Sequence, residues 1–115
     1  MSFIDLHIHT TASDGTFTPS EVVEDALKCR LSVIAITDHD TTMGIKEAIH
    51  AAEGHDITIV PGVEISCFYG GREIHMLGLF LDIENGKLEQ HLSMMREDRA
   101  GRNERMISLR SEERR

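Results

Sequence analysis

The first sixty residues alternate between short apolar runs and amphipathic segments, and this order narrows the choice of fold more than any other feature. Phe3–Ile8 alternates apolar and polar side chains, as a half-buried strand does. Ser32–Thr37 is a short apolar run, typical of a strand buried on both faces of a parallel sheet. A third strand is predicted at Ile57–Val60, closed by Pro61-Gly62. Because helical patterns separate these runs, the sequence predicts an α/β domain with parallel strands.

Helix signals stand between the predicted strands. Thr18 has the position of an N-cap, Pro19 that of the first helical residue, and Glu21 completes a capping box. A second helix is predicted over residues 44–53, ended by Gly54.

The chain changes character after the third strand. Gly70-Gly71 predicts a two-residue hairpin between residues 63–69 and 72–81. In the register that this turn sets, Ser66 pairs with His75 and Glu64 faces Leu77, so that Glu64 and His75 share one face. Alternating charges follow from residue 84 onward. We therefore expect a core at 1–83 and a charged helical segment at 84–115, whose last ten residues are expected to fray or be disordered.

The charge of the chain is unevenly distributed. The net charge is −8, and residues 1–83 hold 13 acidic but only 4 basic groups, whereas residues 84–115 hold 7 acidic and 8 basic groups. This balance does not support a broad basic surface for nucleic acid. The excess of carboxylates is either a solubilising surface or, in part, a set of cation ligands.

Neither a membrane segment nor a disulfide framework is expected. No apolar run approaches the roughly 18 residues of a membrane helix. The chain has two cysteines, Cys29 and Cys67, both expected to be packed, and no leader pattern, so we expect a reducing, cytoplasmic location.

Histidines and a carboxylate cluster around the first predicted strand. His7 and His9 are two residues apart, so their side chains share a face and suit one divalent ion. The alternative is a pair of ordinary polar residues on a half-exposed strand. Asp14 follows within an Asp-Gly turn signal, and is either a turn residue or a further ligand.

The second and third strands are followed by similar groups. His39 lies between Asp38 and Asp40, where a neighbouring carboxylate can orient a ligating ring, although Asp40 could equally cap a helix. Glu64 and His75 suit a shared ion, but also an exposed strand carboxylate and a hydrogen-bonded core histidine. Together, three successive strand ends deliver histidine or carboxylate, as a barrel active site requires. Mixed ligation of this kind favours Zn, Mn or Fe over Ca.

The arginines after residue 95 recur at helical spacing. Such a run is usually a solvated, salt-bridged face. Arg99 and Arg102, with Asn103, could instead contact a substrate phosphate, because a guanidinium matches phosphate oxygens well.

These motifs resemble a known superfamily. His7-Ile8-His9-Thr10, Ser13-Asp14-Gly15, Thr37-Asp38-His39-Asp40, Pro61 to Ser66 and His75 are similar to the first motifs of the polymerase and histidinol phosphatase (PHP) superfamily. The resemblance implies the N-terminal portion of a distorted seven-stranded β/α barrel, here with a β-hairpin and a charged C-terminal helix. It also implies two or three divalent metal ions (Zn, Mn, Fe or Mg) and hydrolysis of phosphoesters by a metal-activated water.

The resemblance assigns roles residue by residue. It implies Glu64 as a bridging ligand. Asp14 and His39 are expected to act in catalysis as well as in ligation, and Arg99, Arg102 and Asn103 are expected to contact substrate. The implied metal ligands are His7, His9, Asp14, His39, Glu64 and His75. The spacing looks most similar to the TrpH-like branch, which acts on nucleotide bisphosphates or short 5′-phosphorylated oligonucleotides.

One departure from the family pattern limits the expectation. The family completes its site with a later histidine and an Asp-x-His motif, and no histidine follows His91 here. The expectation is therefore the N-terminal part of a phosphoesterase. The alternatives are a metal-binding fragment without turnover, and an interaction module that forms homo-oligomers through exposed barrel edges.

Overall fold

The computed structural model describes the backbone of residues 3–113 and the side chains of residues 3–101. Within these bounds the chain forms four strands and three helices. In chain order they are β1 (Phe3–Ile8), α1 (Pro19–Lys28), β2 (Leu31–Ile36), α2 (Ile45–Ala52), β3 (Thr58–Tyr69), β4 (Arg72–Leu79) and α3 (Gly86–Glu113). The predicted α/β alternation is confirmed. α3 continues to Glu113, and the side chains of the last ten residues, which were expected to fray or be disordered, lie outside the described part.

The four strands form one sheet in the order β1-β2-β3-β4. β1, β2 and β3 are parallel, and β4 is antiparallel to β3. α1 and α2 pack on each other and on β2 and β3, and their apolar stripes close the core. Its buried members are Val22, Val23, Ala26, Ile34, Ile36, Ile45, Ala48 and Ala52. The helices cover one face of the sheet. The polar side chains lie at the carboxyl ends of the parallel strands.

The helix boundaries follow the local signals. The Thr18 hydroxyl accepts from the Glu21 amide at 3.2 Å, and the Glu21 carboxylate accepts from the Thr18 amide at 3.1 Å. The predicted capping box is therefore present. α2 begins at Ile45, one residue later than predicted. Gly54 follows it with φ +78°, a left-handed conformation that favours glycine.

The third strand differs from its prediction, which ended it at Pro61-Gly62. β3 runs through both residues as a single strand of 12 residues. Its partners change at this point: residues 58–61 pair with β2, and residues 62–69 pair with β4. Pro61 has no N–H to donate, but its carbonyl accepts from Leu81 N at 3.0 Å. A proline is thus tolerated where the ladder passes from one neighbour to the other.

The hairpin has the predicted register. Tyr69 pairs with Arg72, Ser66 with His75, and Glu64 with Leu77. β4 ends at Leu79 rather than Leu81. Glu64 and His75 therefore lie on one face, as the register argument requires.

Two further expectations concern the cysteines and membranes. Cys29 is exposed at the C-cap, where α1 ends, so its prediction as a packed residue was wrong. Cys67 is half-buried, and both thiols are free.

In the part of the chain that is described, no helix combines the length and the apolar character needed to cross a bilayer.

Candidate metal centre

The six residues predicted as ligands lie together at the carboxyl ends of β1 and β2 and beside the middle of β3. They form three overlapping groups, in each of which the candidate ligand atoms lie within 4.8 Å of one another. The groups are His7, His9 and Glu64; His9, Asp14 and His39; and His39, Glu64 and His75.

β1 contributes the first pair of imidazoles. The Nε2 atoms of His7 and His9 are 3.1 Å apart. The Oε1 atom of Glu64 is 2.6 Å from Nε2 of His7 and 3.7 Å from Nε2 of His9. Two nitrogens that bind one ion at about 2.1 Å, with an angle of roughly 90–110°, are about 3.0–3.4 Å apart. The observed spacing of the two rings therefore fits a shared ion.

The loop after β1 contributes Asp14, which lies between two histidines. Its Oδ1 is 2.8 Å from Nδ1 of His9, and its Oδ2 is 3.1 Å from Nε2 of His39. The Asp14 side chain is 62% exposed, so the loop presents this carboxylate to solvent at the edge of the cluster.

β2 and β3 place His39 and Glu64 side by side. The Glu64 amide donates to the Asp38 carbonyl, and the Asp40 amide donates to the Glu64 carbonyl, both at 3.0 Å. These bonds extend the parallel pairing beyond the end of β2, as the bridge between His39 and Glu64 records. The position of Glu64 is therefore set by the sheet itself.

The carboxylate of Glu64 is the centre of the cluster. It is buried, and its Oε2 is 2.9 Å from Nδ1 of His39 and 3.0 Å from Nδ1 of His75. Nδ1 of His39 is close to Oε2, but it forms no hydrogen bond with any group in the described residues. A hydrogen bond requires a suitable angle as well as a short distance. A buried ring nitrogen in this state next to a carboxylate oxygen is what two ligands of one ion present.

Electrostatics agree with this arrangement. Burial raises the pKa of Glu64, but hydrogen bonding to His75 and His7 and the charge of His39 outweigh it, so the pKa is lowered overall. The pKa of Asp14 is likewise lowered: His9 and His39 outweigh the effect of desolvation. The pKa of His75 is raised, chiefly by its hydrogen bond to Glu64. Both carboxyl groups are thus held as anions, the form that binds metal.

The mixed set of imidazole nitrogens and carboxylate oxygens fits divalent transition metals. The fit rests on two observations: the spacing of the ligand atoms and the buried Nδ1 of His39 without a hydrogen bond in the described residues.

Asp38 has a different task from the predicted one. Rather than orienting His39, its buried carboxylate accepts from the Thr10 amide at 2.6 Å, from the Thr10 hydroxyl at 2.7 Å and from the Ser13 hydroxyl at 2.7 Å. Asp38 therefore fixes the loop that carries Asp14. No local pattern indicated this, because the donors of Thr10 and Ser13 lie 28 and 25 residues earlier in the chain.

Asp40 is not a helix cap, because α2 has Gly44 at its N-cap. It is buried at φ +52°, its carbonyl accepts from Arg96 at 2.9 Å, and its Oδ2 lies 3.6 Å from Nη1 of Arg99. Arg99, predicted to contact substrate, is therefore placed near the cluster, where its charge lowers the pKa of His75. The predictions for Arg102 and Asn103 concern side chains outside the described residues.

A family model gives independent information about this arrangement. The model of the PHP domain matches residues 5–112, which is nearly the whole chain and includes all six candidate ligands.

Similar proteins include two curated relatives. The chain is 43% identical over 110 residues to the 5′-3′ exoribonuclease Rnm of Salmonella typhimurium, covering 94% of this chain and 37% of the relative. It is 40% identical over 106 residues to the 3′,5′-nucleoside bisphosphate phosphatase of Chromobacterium violaceum, covering 92% and 37% respectively. The chain thus spans just over a third of the length of these relatives.

A solved structure shows the same architecture. A protein from Bifidobacterium adolescentis, described as a metal-dependent phosphoesterase, superposes with a TM-score of 0.84 at 37% identity. The match covers 96% of this chain and 39% of that one. The four-stranded sheet and its helices therefore correspond to the N-terminal part of a PHP barrel, which confirms the predicted fold class.

Proposed function

The chain belongs to the PHP domain family, and from this premise we propose that it supplies the N-terminal part of a metal-dependent phosphoesterase. The observation that carries the proposal is the convergence of three ligand groups on Glu64, His9 and His39. The names of the similar proteins, a phosphatase and an exoribonuclease, support phosphoester hydrolysis as the reaction.

The chain would hold two or three divalent ions through the six clustered side chains. When bound, such ions supply an activated water and stabilise the charge of the leaving oxygen. Glu64, buried and anionic, is a ligand in two of the three groups. His7, His9 and His75 complete them from β1 and β4.

Asp14 and His39 are proposed to act in catalysis as well as in ligation. The Asp14 carboxylate is exposed at the edge of the cluster, where it would hold an ion and accept a hydrogen bond from the attacking water. His39 faces Asp14 through Nε2 and Glu64 through Nδ1, so that the ring lies between the two carboxylates. Its role is to orient the phosphate or the leaving group.

The substrate proposed is a phosphorylated small molecule or nucleotide, including short 5′-phosphorylated oligonucleotides. Arg99 supports it, because its half-exposed guanidinium retains donors that can bind phosphate oxygens. Arg102 and Asn103 are proposed as further contacts on sequence grounds.

The test begins with the chain stripped of metal and reloaded with Mn²⁺ or Zn²⁺. Elemental analysis should give two or three ions per chain, and phosphate should be released from a 3′,5′-nucleoside bisphosphate. His7→Ala and Glu64→Gln should lower both the metal content and the rate. Metal content equal to wild type in both variants would refute the site assignment.

A second candidate is a metal-binding part without turnover of its own. It is favoured by one observation: the chain spans only 37% of its curated relatives. Bound metal without phosphate release would support it, and measurable turnover by the isolated chain would exclude it.

We also propose the cytoplasm as the location, because Cys29 and Cys67 are free thiols, which persist in reducing compartments.

A further inference from the structure

Asp40 is a buried acidic residue next to the candidate metal centre. None of the predicted ligand sets includes it. Its side chain is 2% exposed. Its Oδ1 has no hydrogen-bond partner among the described side chains and backbone groups. A buried carboxylate in this state is costly unless a positive charge compensates it, so the groups that face Asp40 are informative.

Two arginines of α3 contact Asp40. Nη1 of Arg96 donates to the Asp40 carbonyl at 2.9 Å, and its Nη2 donates to Glu89 at 2.6 Å. Nη1 of Arg99 lies 3.6 Å from Oδ2 of Asp40. Arg96 thus fixes one turn of α3, and Asp40 faces the guanidinium on the next.

Asp40 is also hydrogen-bonded to the candidate metal centre. Its amide donates to the carbonyl of Glu64, the central candidate ligand, at 3.0 Å. The chain therefore connects the Arg99 guanidinium to the cluster through one buried residue.

We propose that Asp40 is a positioning residue, whose buried carboxylate holds the Arg99 guanidinium beside the metal cluster so that its remaining donors face an incoming phosphate. The inference rests on the proposed function, since it assigns to Asp40 the orientation of an anion-binding group. An unrestrained arginine loses rotamer entropy when it binds, and a preoriented one has lost part of it beforehand.

The experiment uses the full chain loaded with Mn²⁺, with inorganic phosphate as the probe in calorimetry. Asp40→Asn removes the charge but keeps a residue that tolerates positive φ. We expect metal content equal to wild type and a roughly tenfold weaker affinity for phosphate, the scale of coupling between contacting charged groups. Arg99→Ala should weaken binding as well, and Asp40→Asn should add little in that background.

A second readout does not depend on phosphate. In the metal-free chain, the ¹⁵Nε resonance of Arg99 should report an ordered side chain in the wild type and an averaged one in Asp40→Asn. Glu84→Gln is the matched control, because it removes an exposed ion pair with Lys46 elsewhere on the surface, and both readouts should stay at wild-type values.

The outcomes separate the two proposals. If the wild type binds phosphate and Asp40→Asn binds it equally well, or if the effects of the two variants simply add, the positioning role is overturned and the proposed function stands. A mobile Arg99 in the wild type also overturns the positioning role. If the metal-loaded wild type binds no phosphate, the proposed function fails and the role of Asp40 falls with it.

Discussion

At the scale of single residues, Glu64 lies within ion-pair distance of more of the candidate ligands than any other side chain of the cluster. Its two oxygens face His7, His39 and His75. Glu64→Gln keeps the size of the side chain but loses the negative charge. We expect metal affinity to fall by more than the roughly 10–100-fold that follows loss of an outer hydrogen-bond partner, measured by competition with a chelator. Glu53→Gln, on the exposed surface, should bind metal as the wild type does.

The pKa shifts predict how the stability of the metal-free chain depends on pH. The pKa values of Glu64 and Asp14 are lowered by folding, so their contribution exists above their unfolded values near 4 and is lost as the pH falls through the folded values. The pKa of His75 is raised, so its contribution is complete below about 6.5 and is lost as the pH rises through the folded value.

The cluster therefore stabilises the metal-free chain most between about pH 4.5 and 6.5. Urea unfolding in a chelator at several pH values should show this, and the difference between wild type and His75→Gln isolates the histidine. A difference that grows as the pH rises above 7 would contradict the assignment.

Asp38 offers a test of the loop that carries Asp14. In Asp38→Asn, one amide nitrogen replaces an oxygen that accepts hydrogen bonds from Thr10 and Ser13. A buried donor then faces donors, which costs about 1–3 kcal/mol of unfolding free energy. Urea titration measures this, and Ser13→Ala, which removes one bond, should cost less. Equal stability of Asp38→Asn and wild type would show that the loop is held by other contacts.

Much of the cluster could be predicted from sequence at this scale. The i, i+2 spacing brought His7 and His9 to one face, and the Gly70-Gly71 turn set the register of Glu64 and His75. The tasks of Asp38 and Asp40 could not be predicted, because each depends on donors distant in the chain. Local patterns assign a residue to a face, but they do not identify the groups that approach it from other elements.

At the scale of secondary structure, β3 shows where local signals mislead. Pro61-Gly62 is a strong signal for the end of a strand, yet both residues lie inside β3. The Gly70-Gly71 turn predicted the partner of the second half, but no local pattern indicated that the half paired with β2 continues into it as one strand. Pro61 has no N–H to donate. In the folded sheet it lies where the partner of the strand changes from β2 to β4.

Gly62 tests this junction. A Cβ there would meet the Gly78 carbonyl oxygen at 2.9 Å, the Thr37 methyl at 2.9 Å and the Ile36 carbonyl oxygen at 3.1 Å. Gly62→Ala should destabilise the chain by about 1–3 kcal/mol through overpacking and weaken metal binding at Glu64. Gly101→Ala is the control, since nothing described lies within 4 Å of its Cβ position and alanine favours a helix by up to about 1 kcal/mol. Thermal unfolding compares the two.

At the scale of the whole molecule, both edges of the sheet are open. β1 and β4 each pair on one side within the described chain, and both carry exposed apolar side chains. On β1 and β4 these are Phe3, Ile4, Leu6, Ile74, Met76 and Leu77. Open apolar edges promote association between sheets.

We therefore expect homo-oligomers of the isolated chain whose average mass rises with concentration, measured by light scattering after gel filtration. Ile4→Lys places a charge on the β1 edge and should lower that mass, whereas Lys46→Gln, on exposed helix surface, should leave it unchanged. A monomer at all concentrations for the wild type would refute association through the edges.

The hydrogen bonds between Glu64 and the residues on either side of His39 have a consequence beyond the site. Because the same peptide units pair the strands and aim the ligands, an ion bound there is a ligand of the folded state alone. At a free concentration 100 times its Kd, such an ion adds about 2.7 kcal/mol to stability. We therefore expect the metal supply of the cell to affect the abundance of this protein, because a less stable metal-free chain would be degraded sooner.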